Sequence, residues 1–247
     1  MSPRLRSLLF ETLYKNRYLY RFASTVPFAG QWRIWQRLVL QRVQGQDVLE
    51  LGCGLGDLLA DMLAAGYTCQ AVEHSAQMVA AARGTLQRRQ LGNAARIIQG
   101  SAQTLPFANQ SFDTVVSTFP SDYIYDPDTI AEVERVLRPG GRLIIIEGAH
   151  LESVGFIQPI LFLIHLLVYG TGVVQHRKRE VVPLNTHTEL NGATDSTFTT
   201  EELPGQPFGN LIPLEQFGLQ RHSQRVYSQR WQVFITLGEK NTGAEHW

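Results

Sequence analysis

The sequence predicts an α/β fold in which a parallel sheet is covered by helices on both faces. Three observations support this prediction. Short apolar runs alternate with stretches of helical periodicity, a glycine-rich turn joins the first strand to the first helix, and acidic residues end the first two strands. A chain of 247 residues is long enough for one such domain with additions.

The predicted elements follow one another as strand, helix, strand. The first strand covers Val48–Leu51, glycines then turn the chain, and a helix starts at Leu58. Ser75 is placed to cap the next helix, and the stretch 138–141 is expected to break the chain before the last parallel strand. The other predicted segments are strands at 68–73, 95–99, 111–117 and 142–147 and helices at 75–86 and 130–137.

Residues 47–57, with the sequence DVLELGCGLGD, are the most informative part of the chain. Glycines in a strand-to-helix turn let backbone N–H groups approach a ligand, and the helix N-terminus behind them favours an anion. Glu50 precedes the first glycine and has the opposite preference, for a cation or a hydrogen-bond donor. A ligand that carries both charges, such as an amino acid, fits this pair of features.

Other glycine-rich turns fit this stretch less well. A dinucleotide-binding turn has the pattern G-x-G-x-x-G, but Asp57 stands where its third glycine would be. A phosphate-binding P-loop needs a following Gly-Lys-Ser or Gly-Lys-Thr, which this stretch lacks. A nicotinamide-dependent oxidoreductase is therefore disfavoured.

A second acidic residue, Glu73, ends the second predicted strand. A carboxylate at this place is positioned to accept hydrogen bonds from both hydroxyls of a ribose. An acidic residue at a strand end is often only a solvated loop residue. The glycine turn one strand–helix unit earlier makes the ribose interpretation the stronger one.

The chain resembles class I S-adenosylmethionine-dependent methyltransferases, near the subgroup of ubiquinone and menaquinone biosynthesis methyltransferases. The motifs that carry the resemblance are VLELGCGLG at 48–56, AVEHS at 71–75, LPFANQSFDTVVS at 105–117 and VLRPGGRLIIIEG at 136–148. Residues 214–240 are similar to that family's closing helix and antiparallel hairpin. The resemblance implies a Rossmann-like, seven-stranded, mostly parallel sheet with helices on both faces and an antiparallel C-terminal hairpin.

The resemblance also implies that the cofactor is S-adenosyl-L-methionine, and it assigns residues to each part of that molecule. The methionine part would meet Glu50, Gly52, Gly54 and Thr118, the ribose would meet Glu73, and the adenine would meet His74, Ser101 and Ala102. Relatives usually carry Asp where this chain has Ser101. A neutral hydroxyl accepts a hydrogen bond from the adenine amino group more weakly than a carboxylate does.

The methyl acceptor is expected at the carboxyl ends of the strands, where ligands sit in such sheets. Candidate contacts are Phe119 and Tyr123 after the fourth strand, and Tyr14 and Tyr20 in the N-terminal segment. His150, which follows the fifth predicted strand, is the best-placed histidine for a general base. The alternative for this histidine is a plain capping or loop role.

Specificity is expected outside the common core. The predicted organisation is a helical cap or lid at 1–46, a methyltransferase domain at 47–240 with an insertion at about 149–211, and a tail at 241–247. The aromatic N-terminal segment is predicted to form two short helices that pack on the sheet edge or close over the cofactor. The apolar run 154–168 is too short for a transmembrane helix. It is interpreted as a pocket wall, as core or as a surface that touches a membrane, and the rest of the insertion is predicted to be a loop.

The charge composition of the chain argues against nucleic acid as its partner. Lys plus Arg and Asp plus Glu are equal at 22 each, which argues against a nucleic-acid binder that works by neutralising phosphates. Cys53 and Cys69 are interpreted as small buried residues, and no metal site is predicted. A cytoplasmic location is expected.

The predicted function is S-adenosylmethionine-dependent methyl transfer to a small, hydrophobic acceptor. An alternative stays open, because the cofactor residues argue for binding and not for catalysis. The chain could be a non-catalytic S-adenosylmethionine-binding module or a partner subunit.

Overall fold

The computed structural model describes residues 31–92, 94–151, 198–203, 212–228 and 231–242. The strands are β1 (Asp47–Leu51), β2 (Thr68–Glu73), β3 (Arg96–Gln99), β4 (Phe112–Thr118), β5 (Leu137–Leu151), β6 (Phe198–Leu203), β7 (Leu219–Ser228) and β8 (Trp231–Lys240). The α-helices are α1 (Gln31–Arg37), α2 (Asp57–Ala64), α3 (Ala76–Arg88) and α4 (Pro127–Val136), and short 3-10 helices cover Asp122–Tyr125 and Glu215–Phe217.

These strands form one sheet in the order β3-β2-β1-β4-β5-β8-β7-β6. Strands β1 to β5 pair in parallel, and β8, β7 and β6 continue the sheet in antiparallel fashion. The predicted α/β fold and the C-terminal hairpin are confirmed. The predicted count of seven strands is wrong, because the described residues contain eight.

The additional strand is β6, which falls in the insertion where the sequence predicted a loop. It pairs along its whole length with β7, and its Glu201 accepts a hydrogen bond from the hydroxyl of Tyr227 at 3.0 Å. Its sequence, FTTEEL, lacks the strict alternation of apolar and polar residues that marks a half-buried strand. The partner strand β7, which comes later in the chain, therefore decides that this segment is a strand.

Strand β5 is longer than the predicted 142–147 at both ends. At its start, the register with β4 shifts between Phe112 and Thr114, so the predicted break at 138–141 is an irregularity within the strand rather than its end. At its other end, β8 supplies partners as far as Leu151. The continuation follows from antiparallel pairing, which extends β5 past the point where its parallel neighbour β4 stops.

Apolar side chains on the two faces of the sheet build two core clusters. Trp35 of α1 and Leu59 of α2 pack on the face that carries Val116, together with α3. The opposite face carries Val115 and is covered by Ile130 of α4 and by the 3-10 helix 122–125. Alternation along β4 thus distributes neighbouring valines to opposite layers, and the carboxyl ends of the parallel strands lie between these layers.

Helix α1 lies where the sequence predicted the second of two short N-terminal helices, and the cap or lid at 1–46 stays a prediction. The first helix, Tyr14, Tyr20 and the apolar run 154–168 lie outside the described residues. In the ranges that the structure does describe, no helix has both the length and the apolar character needed to cross a membrane.

Candidate cofactor site

The glycine turn lies at the place where the strand order reverses, between β1 and β4, which is where open α/β sheets bind ligands. Gly52 and Gly56 have φ values of 69° and 74°. A Cβ at Gly52 would lie 2.9 Å from the Tyr123 hydroxyl, and one at Gly56 would lie 2.8 Å from the Ala82 Cβ. Both positions therefore need glycine for backbone conformation and for close packing.

The amide groups of this turn are hydrogen-bonded within the chain. Gly52 N–H donates to Val72 O at 2.8 Å, Gly54 N–H donates to the Glu73 carboxylate at 3.0 Å, and Gly56 N–H donates to Cys53 O at 2.8 Å. The assignment of Gly52 and Gly54 to a ligand stays a prediction. The turn uses them to fix the connection between β1 and β2, and the carboxylates beside it provide the candidate ligand contacts.

Glu50 is buried, with 1% of its surface exposed, in a strand flanked on both sides by β2 and β4. Burial, and next the charge of Glu73, raises the pKa of Glu50 from 4.5 to about 8, although Arg33 acts in the opposite direction. Its Oε2 atom is buried and has no hydrogen-bond partner. A buried unpaired carboxyl oxygen is costly, so this position fits a ligand that brings a cationic or hydrogen-bonding group.

Glu73 is held differently, although it too is buried. Its two carboxylate oxygens accept hydrogen bonds from Gly54 N–H at 3.0 Å and Ser75 N–H at 2.9 Å. Ser75 in turn caps α3, as predicted from the sequence. Glu73 therefore ties the glycine turn to the start of α3 and lies beside Glu50 across neighbouring strands.

The residues assigned to the adenine lie at the ends of β2 and β3. His74 is exposed, and Ser101 and Ala102 are half-buried. The Ser101 hydroxyl is hydrogen-bonded to the side chain of Gln103, which donates to Asp126 Oδ2 at 3.0 Å. Sequence reasoning missed Gln103 and its link to the carboxylate that caps α4.

The end of β4 brings three other predicted residues to the same edge. Thr118 accepts a hydrogen bond from Gln36 of α1 at 3.4 Å. Phe119 has a φ of 50° and stacks on Trp32 of α1 with ring centroids 3.8 Å apart. Tyr123 shares a 2.7 Å hydrogen bond with Ser117 Oγ and donates to Leu51 O at 3.2 Å.

Gln36 and Trp32 were not assigned to the site from the sequence. The aromatic character of the N-terminal segment was the available signal. It indicated a cap or lid without showing which ring meets the end of β4.

His150 does not lie just beyond the fifth strand, as the sequence predicted. It lies within β5, opposite Gln232 of β8, and its ring packs edge-on against Phe234 at 5.7 Å. The pair Thr118–Ile146 marks the end of the parallel region, and His150 comes roughly 13 Å further along the strand at about 3.3 Å per residue. The antiparallel partner carries the strand, and His150 with it, beyond the parallel region, and the role of His150 as a base stays a prediction.

In the described part of the chain, no group of three or more His, Cys, Asp or Glu side chains could hold a metal ion. Cys53 and Cys69 are free thiols in the core, which confirms their interpretation as buried residues. The chemistry that the site offers is recognition by carboxylates, hydroxyls and aromatic rings.

Several of the proteins to which this chain is similar are methyltransferases. Residues 49–145 match a family model described as a methyltransferase domain. A demethylmenaquinone methyltransferase of Renibacterium salmoninarum is 34% identical over 135 residues, which are 53% of this chain and 54% of that protein. A ubiquinone/menaquinone biosynthesis C-methyltransferase of Hahella chejuensis is 31% identical over 135 residues, which are 52% of this chain and 54% of that protein.

The chain thus spans about half the length of these curated relatives. Among solved structures, a protein of Methanococcus maripaludis assigned as an S-adenosyl-L-methionine-dependent methyltransferase has a TM-score of 0.55 at 15% identity, over 94% of both chains, which shows the shared fold. Residues 49–145 are therefore similar to the methyltransferase domain family.

Proposed function

We propose that the protein transfers the methyl group of S-adenosylmethionine to a small, largely hydrophobic acceptor. The observation that carries this proposal is the pair Glu50 and Glu73, which places two buried carboxyl groups beside the glycine turn at the reversal of strand order. One carboxyl has an unpaired oxygen, and the other lies at the strand end that suits a ribose. The domain family of residues 49–145 supports the same conclusion.

The two carboxylates would divide the cofactor between them. Glu50 would receive the methionine ammonium group, because its buried oxygen lacks a partner. Glu73 would accept hydrogen bonds from the ribose hydroxyls beside its bonds to Gly54 and Ser75. His74, Ser101 and Ala102 would border the adenine, and Gly52, Gly54 and Thr118 would border the methionine chain.

The aromatic surroundings of the β4 end support an apolar acceptor. Trp32 stacks on Phe119, and Trp35 packs between Phe119 and Trp231 with ring centroids 6.2 and 4.9 Å away. Aromatic walls exclude water and hold flat, hydrophobic molecules. The demethylmenaquinone methyltransferases among the relatives make a demethylmenaquinone-like molecule the first acceptor to test.

Segments outside the described residues complete the proposed site. Tyr14 and Tyr20 would face the acceptor beside Phe119 and Tyr123, and the run 154–168 would line its pocket. We further propose that residues 1–46 act as a lid. The two free cysteines suit the reducing cytoplasm, where we place the enzyme.

The ribose assignment is tested by Glu73→Gln. This change keeps the size of the side chain and removes its charge, so hydrogen bonds from the ribose to a charged acceptor are lost. Affinity for S-adenosylhomocysteine, measured by calorimetry, should fall about 10- to 100-fold, at 1.4 kcal/mol per tenfold change.

A matched control is Asp113→Asn. Asp113 also accepts two backbone hydrogen bonds, from Gln46 N–H at 2.8 Å and Asp47 N–H at 2.9 Å, but at the opposite end of β1 and β4. This control should lower thermal stability and leave cofactor affinity intact. Equal affinities for the wild-type protein and the Glu73 variant would remove the ribose assignment.

A further inference from the structure

A bulge lies where β5 passes the end of β4. Thr118 pairs with Ile146, and Phe119 N–H donates to Ile146 O at 2.7 Å, so Glu147 is the first residue of β5 beyond the parallel region. The register between β5 and β8 shifts between Ile146 and Gly148. Glu147 is thereby the extra residue of the bulge, one strand spacing (about 4.8 Å) from the end of β4.

Only one of the two carboxyl oxygens of Glu147 has a hydrogen-bond partner. Thr236 of β8 donates a short hydrogen bond to its Oε1 atom, whereas Oε2 is buried and has no hydrogen-bond partner. Burial raises the pKa of Glu147, and the Thr236 hydrogen bond and the charge of Arg221 partly oppose this. Burial raises the pKa of Tyr125, and the charges of Glu147 and Asp122 add to this, so both carboxyl groups lie within electrostatic reach of Tyr125.

Neighbouring atoms on β7 are unsatisfied as well. Ser223 lies directly opposite Thr236 in the β7–β8 pair, and its buried hydroxyl has no partner. The Nη1 atom of Arg221 is also buried without a partner, although the same guanidinium binds Glu215 at 2.7 Å. A buried acceptor on β5 and unpaired donors on β7, with Thr236 of β8 between them, form an arrangement that a polar group of a substrate would complete.

We propose that Glu147 is the general base of the reaction and contacts the acceptor through Oε2. This inference rests on the proposed function, because the position of the methyl group follows from the cofactor contacts of Glu50, Glu73 and Thr118. His150, the base suggested by the sequence, lies further along β5. Glu147 was missed because its strand residues, RLIIIE, indicate only a buried strand.

One carboxylate is enough to balance the protons and charges of the methyl transfer. Ionised Glu147 takes the acidic proton of the acceptor, and the electron pair released forms the new bond to the methyl carbon. The methyl–sulfur bond breaks with its electron pair remaining on sulfur, which leaves neutral S-adenosylhomocysteine. The negative charge of the carboxylate and the positive charge of the sulfonium cancel, and protonated Glu147 then returns its proton to water.

The test is Glu147→Gln, which keeps the shape of the side chain and an oxygen for Thr236 but cannot take a proton. Methyl transfer from labelled S-adenosylmethionine to reduced demethylmenaquinone is measured in single turnovers. The rate should fall about 100- to 10,000-fold, the range for loss of a general base. Affinity for S-adenosylhomocysteine should stay at the wild-type value, because Glu147 is not among the proposed cofactor contacts.

The pH profile separates a base from a merely structural residue. The wild-type rate should rise with pH as Glu147 ionises, and the Gln variant should lose this rise. In Thr236→Val the base remains but loses a hydrogen bond that lowers its pKa, so the rise should move to higher pH. Such a shift supports the base, since Thr236 and Arg221 act on Glu147, and Tyr125, which also feels the charge of Asp122, lies within its electrostatic reach.

Two results overturn the proposal, and a third overturns the function on which it rests. A Gln variant with the wild-type rate and pH profile removes Glu147 as the base. A variant that loses rate and cofactor affinity together, with a lower melting temperature, assigns the residue to the scaffold. Wild-type protein that fails to bind S-adenosylhomocysteine refutes the proposed function itself.

Discussion

Glu50 and Glu73 have the same side chain at the ends of neighbouring strands, yet the fold treats their carboxyl groups in opposite ways. Glu73 receives two backbone N–H groups, which satisfy a negative charge. Glu50 receives none on its Oε2 atom and has a pKa raised to about 8, so it is mostly neutral at pH 7. The difference comes from position, because Glu73 reaches the amides of the glycine turn and Glu50 is enclosed between strands.

This difference predicts that cofactor binding releases a proton. An ammonium group beside Glu50 favours the ionised carboxylate and lowers its pKa from about 8. At pH 7, binding of S-adenosylhomocysteine should therefore release nearly one proton. Affinity should rise by up to about tenfold per pH unit below pH 8 and become constant above it.

Calorimetry in buffers of different ionisation enthalpy measures this release, and Glu50→Gln is the control because it cannot ionise. The variant should bind S-adenosylhomocysteine more weakly, with no proton release from this position. If it releases as many protons as the wild-type protein, another group is responsible.

At the scale of elements, one carboxylate joins three helical segments. Asp61 of α2 is buried and forms ion pairs with Arg33 and Arg37 of α1 at 2.5 and 2.8 Å, and with Arg89, just after α3, at 2.7 Å. Burial acts to raise the pKa of Asp61, but hydrogen bonds from Arg37 and Arg89 and the charge of Arg33 lower it overall. Because α1 also carries Trp32 and Gln36, this junction holds the side chains that contact the end of β4.

Asp61→Asn should therefore loosen α1. Urea unfolding at pH 7 should show a loss of about 1–3 kcal/mol in the free energy of unfolding, a moderate value because the arginines are partly exposed. The lowered pKa stabilises the fold above the ordinary Asp value of 3.8, and this contribution disappears as pH falls through the folded pKa. The difference between variant and wild type should shrink accordingly below about pH 4.

Asp57→Asn is a suitable comparison, because Asp57 makes a longer 3.3 Å ion pair with Arg89 and is more exposed. The free energy of unfolding should fall less in Asp57→Asn than in Asp61→Asn. Equal losses would show that Asp61 does not act as a junction.

At the scale of the whole molecule, α1 lies next to the proposed reaction centre. Stacking of Trp32 on Phe119 fixes this helix at the end of β4. This placement supports the lid of residues 1–46 and predicts that ligand binding protects it.

Trypsin cleavage at Arg4, Arg6, Lys15 and Arg17 should slow when S-adenosylhomocysteine is added, because closure removes the open conformations that a protease needs. Glu73→Gln protein at the same ligand concentration should show little protection, since it binds more weakly. An unchanged cleavage rate for saturated wild-type protein would contradict the lid.

The sequence by itself determined the α/β class, the parallel direction of the first five strands and the positions of Glu50 and Glu73. These features follow from local signals, because a strand pattern, a glycine turn and an acidic strand end lie within a few residues of one another. Tertiary structure alone decided the additional strand and the length of β5. Strand β6 exists through pairing with β7, and β5 carries His150 beyond the parallel region because β8 continues to pair with it.

The side chains that meet at the site show the same division. The bulge at Glu147 depends on register. The stacking of Trp32 on Phe119 and the hydrogen bonds from glycine amides to Val72 and Glu73 join residues far apart in the chain. Sequence periodicity reports which face a residue occupies within its own element. Contacts between elements depend on how strands pair and helices pack, and these are fixed only when the whole sheet forms.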